Sequence, residues 1–356
     1  MAINLDPILS EVNSLCSTDK VGISEAIFQR YIADETFTAH HEVMTDIRNG
    51  RIIPILDARP DYGYMKVRQG NCQMNICEIT TGASEKKWNP VDYNCRLVIC
   101  KDDLDCDFKK FWDMNCKGYS SMNDAFMDFI AAQALKNLNS SQWRIAYFDD
   151  SADTDPLYAG IDGLFKQYLA IATEGSPQHI DIPENDGATI EAQLNLAPDR
   201  AYQIFRAMYA WASINNPSLL TSPDAHIDVT PALAFNYLQY LQDNKEVNCC
   251  FSTTDGVTDS RYSIDRLFYL GIPIHIRNEW DGVIKWQQTQ SGAVNLDNPH
   301  RALLTTKSNK PIGTCDDESF SNFDMFYDRK DKQIYVDVET SFDAKVVVDT
   351  DFVIAI

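Results

Sequence analysis

Residues 266–281 read RLFYLGIPIHIRNEWD, and this stretch decides between two interpretations of the chain. An apolar run bends at Gly271 and Pro273, carries His275, and ends in two carboxylates. A Gly-x-Pro turn inside an apolar run is typical of a strand that enters a packed core. An imidazole and two carboxylates so close together are also groups that enzymes use for acid–base catalysis. The surrounding sequence has to decide between a packing element and an active site.

The histidine-containing and acidic motifs lack the spacing that a metal site requires. Residues 149–156, DDSADTDP, carry Asp at several positions, but Thr154 and Gly160 stand where a calcium loop needs Gly and Glu. A solvated turn is therefore expected. His40 and His41 are adjacent, so they point to different faces of a helix or a strand. The sequence predicts no metal site.

Catalytic patterns are similarly weak. Cys249 and Cys250 have no nucleophile signature around them, and we expect them to enter a buried strand. Glu279 and Asp281, placed two apart on a strand, would lie about 7 Å apart and could suit a glycosidase pair. No aromatic sugar platform accompanies them, and KSNKPIGT at 307–314 misses the phosphate-loop pattern. We predict that the protein is not an enzyme and binds no cofactor.

Composition restricts the class of protein further. The chain has 356 residues, 44% of them hydrophobic, which is enough for a sizeable core. Its 52 acidic and 31 basic residues give a formal charge of −21, so most of its surface would repel a nucleic acid. No apolar run reaches the roughly 18 residues of a membrane span. The first residues, MAINLDPILSEVNSLC, lack the basic start of a secretion signal, so we expect a soluble protein.

The ten cysteines are scattered and contain no CxxC pair. Cys72 and Cys95 alternate with apolar neighbours, as residues on the inward face of a strand do. We therefore expect reduced core thiols in a reducing compartment.

Hydrophobic periodicity predicts a mixed α+β fold. Helices are expected at 198–215 and 231–243, each with a Pro in its first turn. The residues predicted to be buried on them are Ala201, Ile204, Phe205, Met208, Ala212, Leu233, Tyr237 and Leu241. A short strand is expected at 143–150, WRIAYFDD, and a helix at 161–175. Further strands are expected at 302–306, 332–339, 344–349 and 351–356.

The order of these elements resembles the second half of tailed-bacteriophage major capsid proteins of the Hong Kong 97-type fold. In that family, a helix with a Y..YL-like pattern precedes a strand with a GIPV-like turn. Here the two read FNYLQYL at 235–241 and FYLGIPIHI at 268–276. ALLTTKSNKPIGT at 302–314 matches the following strand, and 332–356 matches the closing strands. WRIAYFDD with the following IDGLFKQYLA is similar to a segment of capsid proteins from phages infecting Bacteroidetes-type hosts.

The resemblance implies an α+β chain with four parts. These are an N-terminal arm at 1–54, an extended loop at 55–100, a peripheral domain with spine helix and long sheet at 101–175 and 320–356, and an axial domain at 176–319. It also implies a structural function, namely self-assembly into an icosahedral shell that encloses phage DNA without binding it specifically. The expected partners are copies of the chain in hexamers and pentamers, together with other capsid, portal or decoration proteins. The expected location is the virion, after assembly in the host cytoplasm.

Two alternatives remain beside the phage capsid. An encapsulin-like compartment would share the fold and differ in its cargo. A soluble enzyme or a sugar-binding module is the less favoured alternative.

The resemblance also gives roles to single residues. In TTGASEKKWNP at 80–90, Lys86, Lys87 and an exposed Trp88 lie at the tip of the extended loop and are candidates for contacts between subunits. Gly271 and Pro273 form a structural turn. His275 is then either buried and paired or directed toward a neighbour, and the acidic end of the opening stretch lies where the strand leaves the core.

Overall fold

The structure is a computed structural model, and it describes residues 37, 40–57, 82–100, 137–183, 185, 187–244, 267–315, 323–328 and 333–356. Some predictions therefore fall outside the described residues. They concern the arm before residue 37, the first part of the predicted peripheral domain, Cys72, Cys249 and Cys250.

Thirteen strands and seven α-helices lie within the described residues. The strands are β1 (Val43–Met44), β2 (Ile52–Asp57), β3 (Gly82–Lys87), β4 (Val91–Cys100), β5 (His179–Ile180), β6 (Ala225–Val229), β7 (Phe268–Tyr269), β8 (Ile272–Ile276), β9 (Ala302–Thr306), β10 (Ile312–Thr314), β11 (Phe323–Asp328), β12 (Gln333–Ala344) and β13 (Phe352–Ala355). The helices are α1 (described over 137–148), α2 (Leu164–Ile171), α3 (Ile190–Leu194), α4 (Arg200–Asn215), α5 (Pro217–Thr221), α6 (Pro231–Asn244) and α7 (Asn278–Ser291). A 3-10 turn, Lys307–Asn309, follows β9. The fold is mixed, as the sequence predicted.

A six-stranded sheet runs in the order β5-β13-β9-β6-β8-β7. Its central strands β6, β9 and β13 are buried at every position, because both faces of the sheet are covered. The strands predicted at 302–306 and 351–356 are confirmed here, and the last residue, Ile356, is 8% exposed and donates its N–H to Ile180.

Two helices, α4 and α6, pack on this sheet. All eight residues predicted to be buried on them are buried, at the three- and four-residue spacing of one helix face. Both helix predictions are therefore confirmed. Pro231 is the first residue of α6, where its missing N–H leaves no donor unpaired, whereas Pro198 lies before Asp199, the residue that precedes α4.

A five-stranded sheet is built around the long strand β12. On one side β12 pairs with β10 and β11, on the other it pairs with β4 over ten residues, and β1 lies parallel to β10. The strand predicted at 332–339 is thus confirmed and is longer than expected. Cys95, predicted to be a core thiol, is exposed on β4, so that prediction is wrong for this residue. Cys95 shares one face of β4 with the half-buried Tyr93 and Leu97, because alternate residues of a strand point to the same side. Apolar alternation in the sequence does not reveal whether that face is covered at each position.

Three further predictions need correction. Residues 143–150 are predicted as a strand but continue α1 to residue 148, because Trp143, Ala146 and Tyr147 share one buried helix face. The helix predicted at 161–175 is shorter, and Gly175 lies in a later turn with φ 82°. Residues 345–348 are not in a strand. The N–H groups of Lys345 and Val347 bond the carbonyls of Pro311 and Asn309, and those of Val346 and Val348 bond the side chains of Gln167 and Asn309.

The predicted division into arm, loop and two domains stays a prediction. The pairing of β13 with β9 crosses it, because β13 falls in the segment predicted as peripheral and β9 in the segment predicted as axial. Among the described helices, none has the length and apolar character needed to span a membrane.

Candidate functional site

The turn of the opening stretch joins β7 to β8. Leu270 and Gly271 have φ values of 48° and 89°, and two successive positive φ values are typical of a tight two-residue hairpin. Pro273 follows in β8, opposite Phe268. The role of Gly271 and Pro273 as a structural turn stays a prediction, and the hairpin between β7 and β8 is consistent with it.

The acidic end of the same stretch belongs to a helix. Glu279 and Asp281 lie in the first turn of α7, where carboxylates are favourable beside the positive end of the helix dipole. Asp281 pairs with Lys285 at 2.6 Å. Trp280, which lies between Glu279 and Asp281 in the sequence, is fully buried. Two residues apart on a helix are separated by about 200° around its axis. The strand geometry considered for a glycosidase pair is therefore wrong.

A buried ion cluster lies where these elements meet. Asp228, the fourth of the five residues of β6, is 0% exposed and accepts two hydrogen bonds from Arg277 through one carboxylate oxygen, at 2.8 Å from Nε and 2.5 Å from Nη2. Its second oxygen accepts from the fully buried Lys310 and lies 3.3 Å from Nε2 of His226. His275 Nδ1 lies 3.8 Å from the first oxygen, Oδ1, to which Arg277 is bound. We call these five residues the Asp228 cluster.

The protonation states follow from burial and charge. Burial alone would raise the pKa of Asp228, but Arg277 and Lys310 together hold it well below its ordinary value. Burial lowers the pKa of Lys310 to about 8, so the amine is charged at neutral pH. Burial likewise lowers the pKa of His275 to about 4 and that of the adjacent His40 to about 3. At neutral pH the cluster therefore holds the Asp228 carboxylate, the cations Arg277 and Lys310, and a neutral His275.

Three members of the cluster have the atoms of a metal site. The ligand atoms of His226, Asp228 and His275 lie within 4.8 Å of one another. The carboxylate that a cation would need is already bound to Arg277 and Lys310, and their positive charges oppose a second cation. We therefore describe this group as an internal ion network.

The cluster connects the two sheets. Lys310 stands between β9 of the six-stranded sheet and β10 of the five-stranded sheet, and it reaches back to Asp228 in β6. The Arg277 guanidinium lies 5.3 Å from the ring of Trp143, and the His40 ring is 5.4 Å from that of His275. The network thus fixes how the sheets, α1 and the segment after residue 40 meet.

The residues predicted to form the tip of the extended loop instead form strand β3 and a buried tryptophan that follows it. β3 pairs with β2, and Trp88 directly after it is only 1% exposed. Its ring fills a slot over Gly313, where an added Cβ would come within 2.8 Å of the indole. The prediction that Trp88 is exposed is therefore wrong. A second tryptophan, Trp143 in α1, is also fully buried.

The two lysines beside Trp88 differ in environment. Lys86 binds the carbonyl of Val346 at 2.7 Å and also the carboxylate of Asp349. Lys87 is exposed and lies opposite Ile52, which is 44% exposed. The role of Lys86, Lys87 and Trp88 in contacts between subunits stays a prediction, and Lys87 is the most accessible of the three.

The turn considered as a calcium loop is bound to itself. Asp153 accepts from the N–H of Asp155, and Asp155 accepts from the N–H of Leu157, as in turns capped by their own Asp side chains. Asp149 is buried beside Arg144 at 2.6 Å, and burial raises the pKa of Asp149 to about 7. The solvated turn expected from the sequence is confirmed for the exposed residues.

Sequence reasoning missed the Asp228 cluster. The signals are a His and an Asp two residues apart in the short strand AHIDV and a Lys directly before PIGT. A charge in a buried strand requires a partner, but its identity comes from segments distant in the sequence.

Comparison with known proteins places the fold. No protein-family model matches the chain, and no curated protein is significantly similar to it. A chain in the solved structure "Satellite phage P4 procapsid including size determination (Sid) protein" is 11% identical, with 93% of this chain and 98% of that chain covered and a TM-score of 0.50. The chain has a phage-capsid fold.

Other solved structures from phages are also similar. A chain from Gordonia phage Cozz is 13% identical, with 89% of this chain and 84% of that chain covered and a TM-score of 0.48. The capsid structure of cyanophage P-SCSP1u gives 12% identity, coverage of 89% and 86%, and a TM-score of 0.45.

Proposed function

We propose that the protein is a major capsid protein that self-assembles into the icosahedral shell enclosing a phage genome. The observation that carries this proposal is the match in fold to a procapsid chain over 93% of this chain and 98% of that one. Both chains are covered nearly end to end, so the similarity in fold is not limited to a single common motif.

The finer proposal is a subunit of the Hong Kong 97 type. The pair α4 and α6 on the six-stranded sheet corresponds to the axial domain, and the five-stranded sheet around β12 to the long peripheral sheet. The hairpin of β2 and β3 is the stem of the extended loop. On this proposal the partners are further copies of the chain in hexamers and pentamers, with portal or decoration proteins added.

The net charge supports a container function. A charge of −21 makes most of the surface repel DNA, so a packed genome would be enclosed without adhering to its shell. The proposal includes no reaction, no cofactor and no membrane. It places the protein in the virion, after assembly in the cytoplasm of the host, for which we propose a Bacteroidetes-type bacterium.

Sedimentation velocity of the purified protein tests the proposal. Across a series of salt concentrations and with added crowding agent, we expect species far larger than the 40.4 kDa chain. A single 40.4 kDa species under all these conditions would overturn the proposal. The genes that neighbour its coding sequence then separate a phage shell from an encapsulin-like compartment.

A further inference from the structure

The segment of residues 40–47 crosses the place where α1 and both sheets meet. β1, which lies within it, is only two residues long, and neither residue is buried. The N–H of Ile312 bonds the carbonyl of Glu42 at 2.8 Å, and the N–H of Ile47 bonds the carbonyl of Thr314 at 2.9 Å. A pairing this short is marginal by itself, so the attachment of the segment depends on the side chains buried beside it.

His41 is the buried side chain at the start of this segment. It is 1% exposed, and its ring centroid lies 4.4 Å from that of Phe37 and 5.3 Å from that of Trp143. Trp143 and Tyr147, which belong to α1, stack on each other at 5.4 Å. His41 thus joins the segment to the aromatic face of α1.

The two hydrogen bonds of His41 fit a neutral imidazole. Nδ1 is 2.8 Å from the carbonyl oxygen of Phe37, which can only accept, so Nδ1 carries the hydrogen. Nε2 is 2.9 Å from the hydroxyl of Tyr147 and accepts the hydrogen of that hydroxyl. If the ring took up a proton, a second N–H would point at the hydroxyl, and the Tyr147 hydrogen would lose its acceptor inside a buried site. Protonation therefore works against this arrangement.

The charges around the segment also oppose a proton. Among the described residues, the charged and titratable groups that act on His40 and His41 are Arg277, Lys310, Asp228, His275 and Tyr147. Asp228 balances only one of the two cations, and the His40 ring lies 5.4 Å from that of His275. Burial, followed by these cations, holds the pKa of His41 well below its ordinary value and lowers the pKa of His40 to about 3.

We propose that His41, with His40 beside it, is an acid-sensitive latch that releases residues 40–47 from the rest of the subunit while both sheets stay folded. In water each imidazole regains an ordinary pKa of about 6.5, so the released state binds more protons below that pH. Docking of the segment therefore weakens as the pH falls. For each histidine that stays neutral while docked, a change from pH 7.5 to pH 5 shifts the equilibrium toward release by about thirtyfold.

The contacts of the latch lie within one subunit. The inference therefore goes beyond the proposed shell function, and single subunits and particles can both be used to test it. In a shell, the latch would let a change in pH move the chain around residue 40 without unfolding the subunit, because histidine is the side chain that gains charge between neutral and mildly acidic pH. If the protein never assembles, the proposed function falls and the latch is still tested.

Hydrogen exchange at pH 7.5 and pH 5 tests the latch, with each rate corrected for the intrinsic pH dependence of amide exchange. The reporter amides are those of Ile47 and Ile312, whose bonds join the segment to the five-stranded sheet. Their protection should fall about thirtyfold or more at pH 5 and should be lower there than that of the buried strands β6, β9 and β13. Unchanged protection of the reporters would overturn the inference. Equal protection of reporters and buried strands at pH 5 would also overturn it, because the segment would then leave only by global unfolding.

Two variants separate these histidines from the others. The double variant His40→Gln/His41→Gln keeps polar side chains that cannot take up a proton, so the change in reporter protection should become about tenfold smaller or less. His179→Gln is the matched control and should behave as wild type, since three strands separate β5 from β8. A double variant that docks at pH 7.5 and keeps the wild-type pH dependence would contradict the latch. If the double variant does not dock at pH 7.5, the wild-type comparison of reporters with buried strands decides alone.

Discussion

Replacing Asp228 with Asn is expected to lower the free energy of unfolding by about 3 to 5 kcal/mol. The carboxylate faces Arg277, which is 3% exposed, and Lys310, which is 0% exposed. Asparagine keeps the shape but removes the charge, so two buried cations are left without their anion. The loss has an upper bound because Lys310 can release its proton, and neutralising a lysine of pKa about 10.4 at pH 7 costs about 5 kcal/mol.

The same variant should show a distinctive pH dependence. In the folded variant Lys310 is neutral at pH 7, whereas in the unfolded chain it is charged. The unfolded state then binds more protons, so stability rises with pH. In the wild type this gain begins only near the pKa of Lys310, about 8. The difference in the free energy of unfolding between the variant and the wild type should therefore become smaller by about 1 kcal/mol between pH 7 and pH 8.

Lys310→Met is the matched control for this prediction. It removes one of the two cations and leaves Asp228 paired with Arg277, so we expect a smaller loss of about 1 to 2 kcal/mol. Urea unfolding followed by circular dichroism measures all three proteins. A loss under about 1 kcal/mol for Asp228→Asn, or a larger loss for Lys310→Met than for Asp228→Asn, would refute the reasoning.

Three other predictions concern stability. Trp88→Ala should cost about 3 to 5 kcal/mol because the ring is buried over Gly313, whereas the exposed Lys87→Ala should change stability by less than about 0.5 kcal/mol; equal effects in urea unfolding would contradict the burial. Gly271→Val should cost about 1 to 3 kcal/mol through its positive φ alone, since no other atom of the described residues lies within 4 Å of the added Cβ; an unchanged melting temperature would contradict this. Burial holds the pKa of His41 well below 6.5, so the unfolded state binds more protons below that pH and stability falls as the pH is lowered. Asp149, with its pKa raised to about 7, acts in the opposite sense, so Asp149→Asn should lose stability more steeply than wild type between pH 6.5 and 5, and parallel curves would contradict this.

Helices with a continuous buried face were predictable from the sequence. The stripe Ala201 to Ala212 in α4 and the stripe Leu233 to Leu241 in α6 repeat at helical spacing, so local pattern and tertiary packing agree. The turn at Gly271 was predictable for a similar reason, since few residues besides glycine adopt its positive φ without strain.

Features that depend on distant segments were not predictable. Trp88 looked exposed because its neighbours are polar, and the glycine that makes room for it, Gly313, lies in another strand of the chain. Asp228 gave a local signal, but its charged partners lie far away in the sequence. Arg277 directly follows β8, and Lys310 lies in the segment after β9. Residues 143–148 carry aromatic and branched side chains that suit a strand, and packing of Trp143 and Tyr147 on one face makes them helical.

The most direct test of the account is cryo-electron microscopy of particles assembled from the purified protein. The account predicts closed icosahedral shells built of pentamers and hexamers, into whose density the six-stranded and five-stranded sheets fit with the order found here. Protein that forms only monomers, or an open or non-icosahedral assembly in which the sheets do not fit the subunit density, would contradict it.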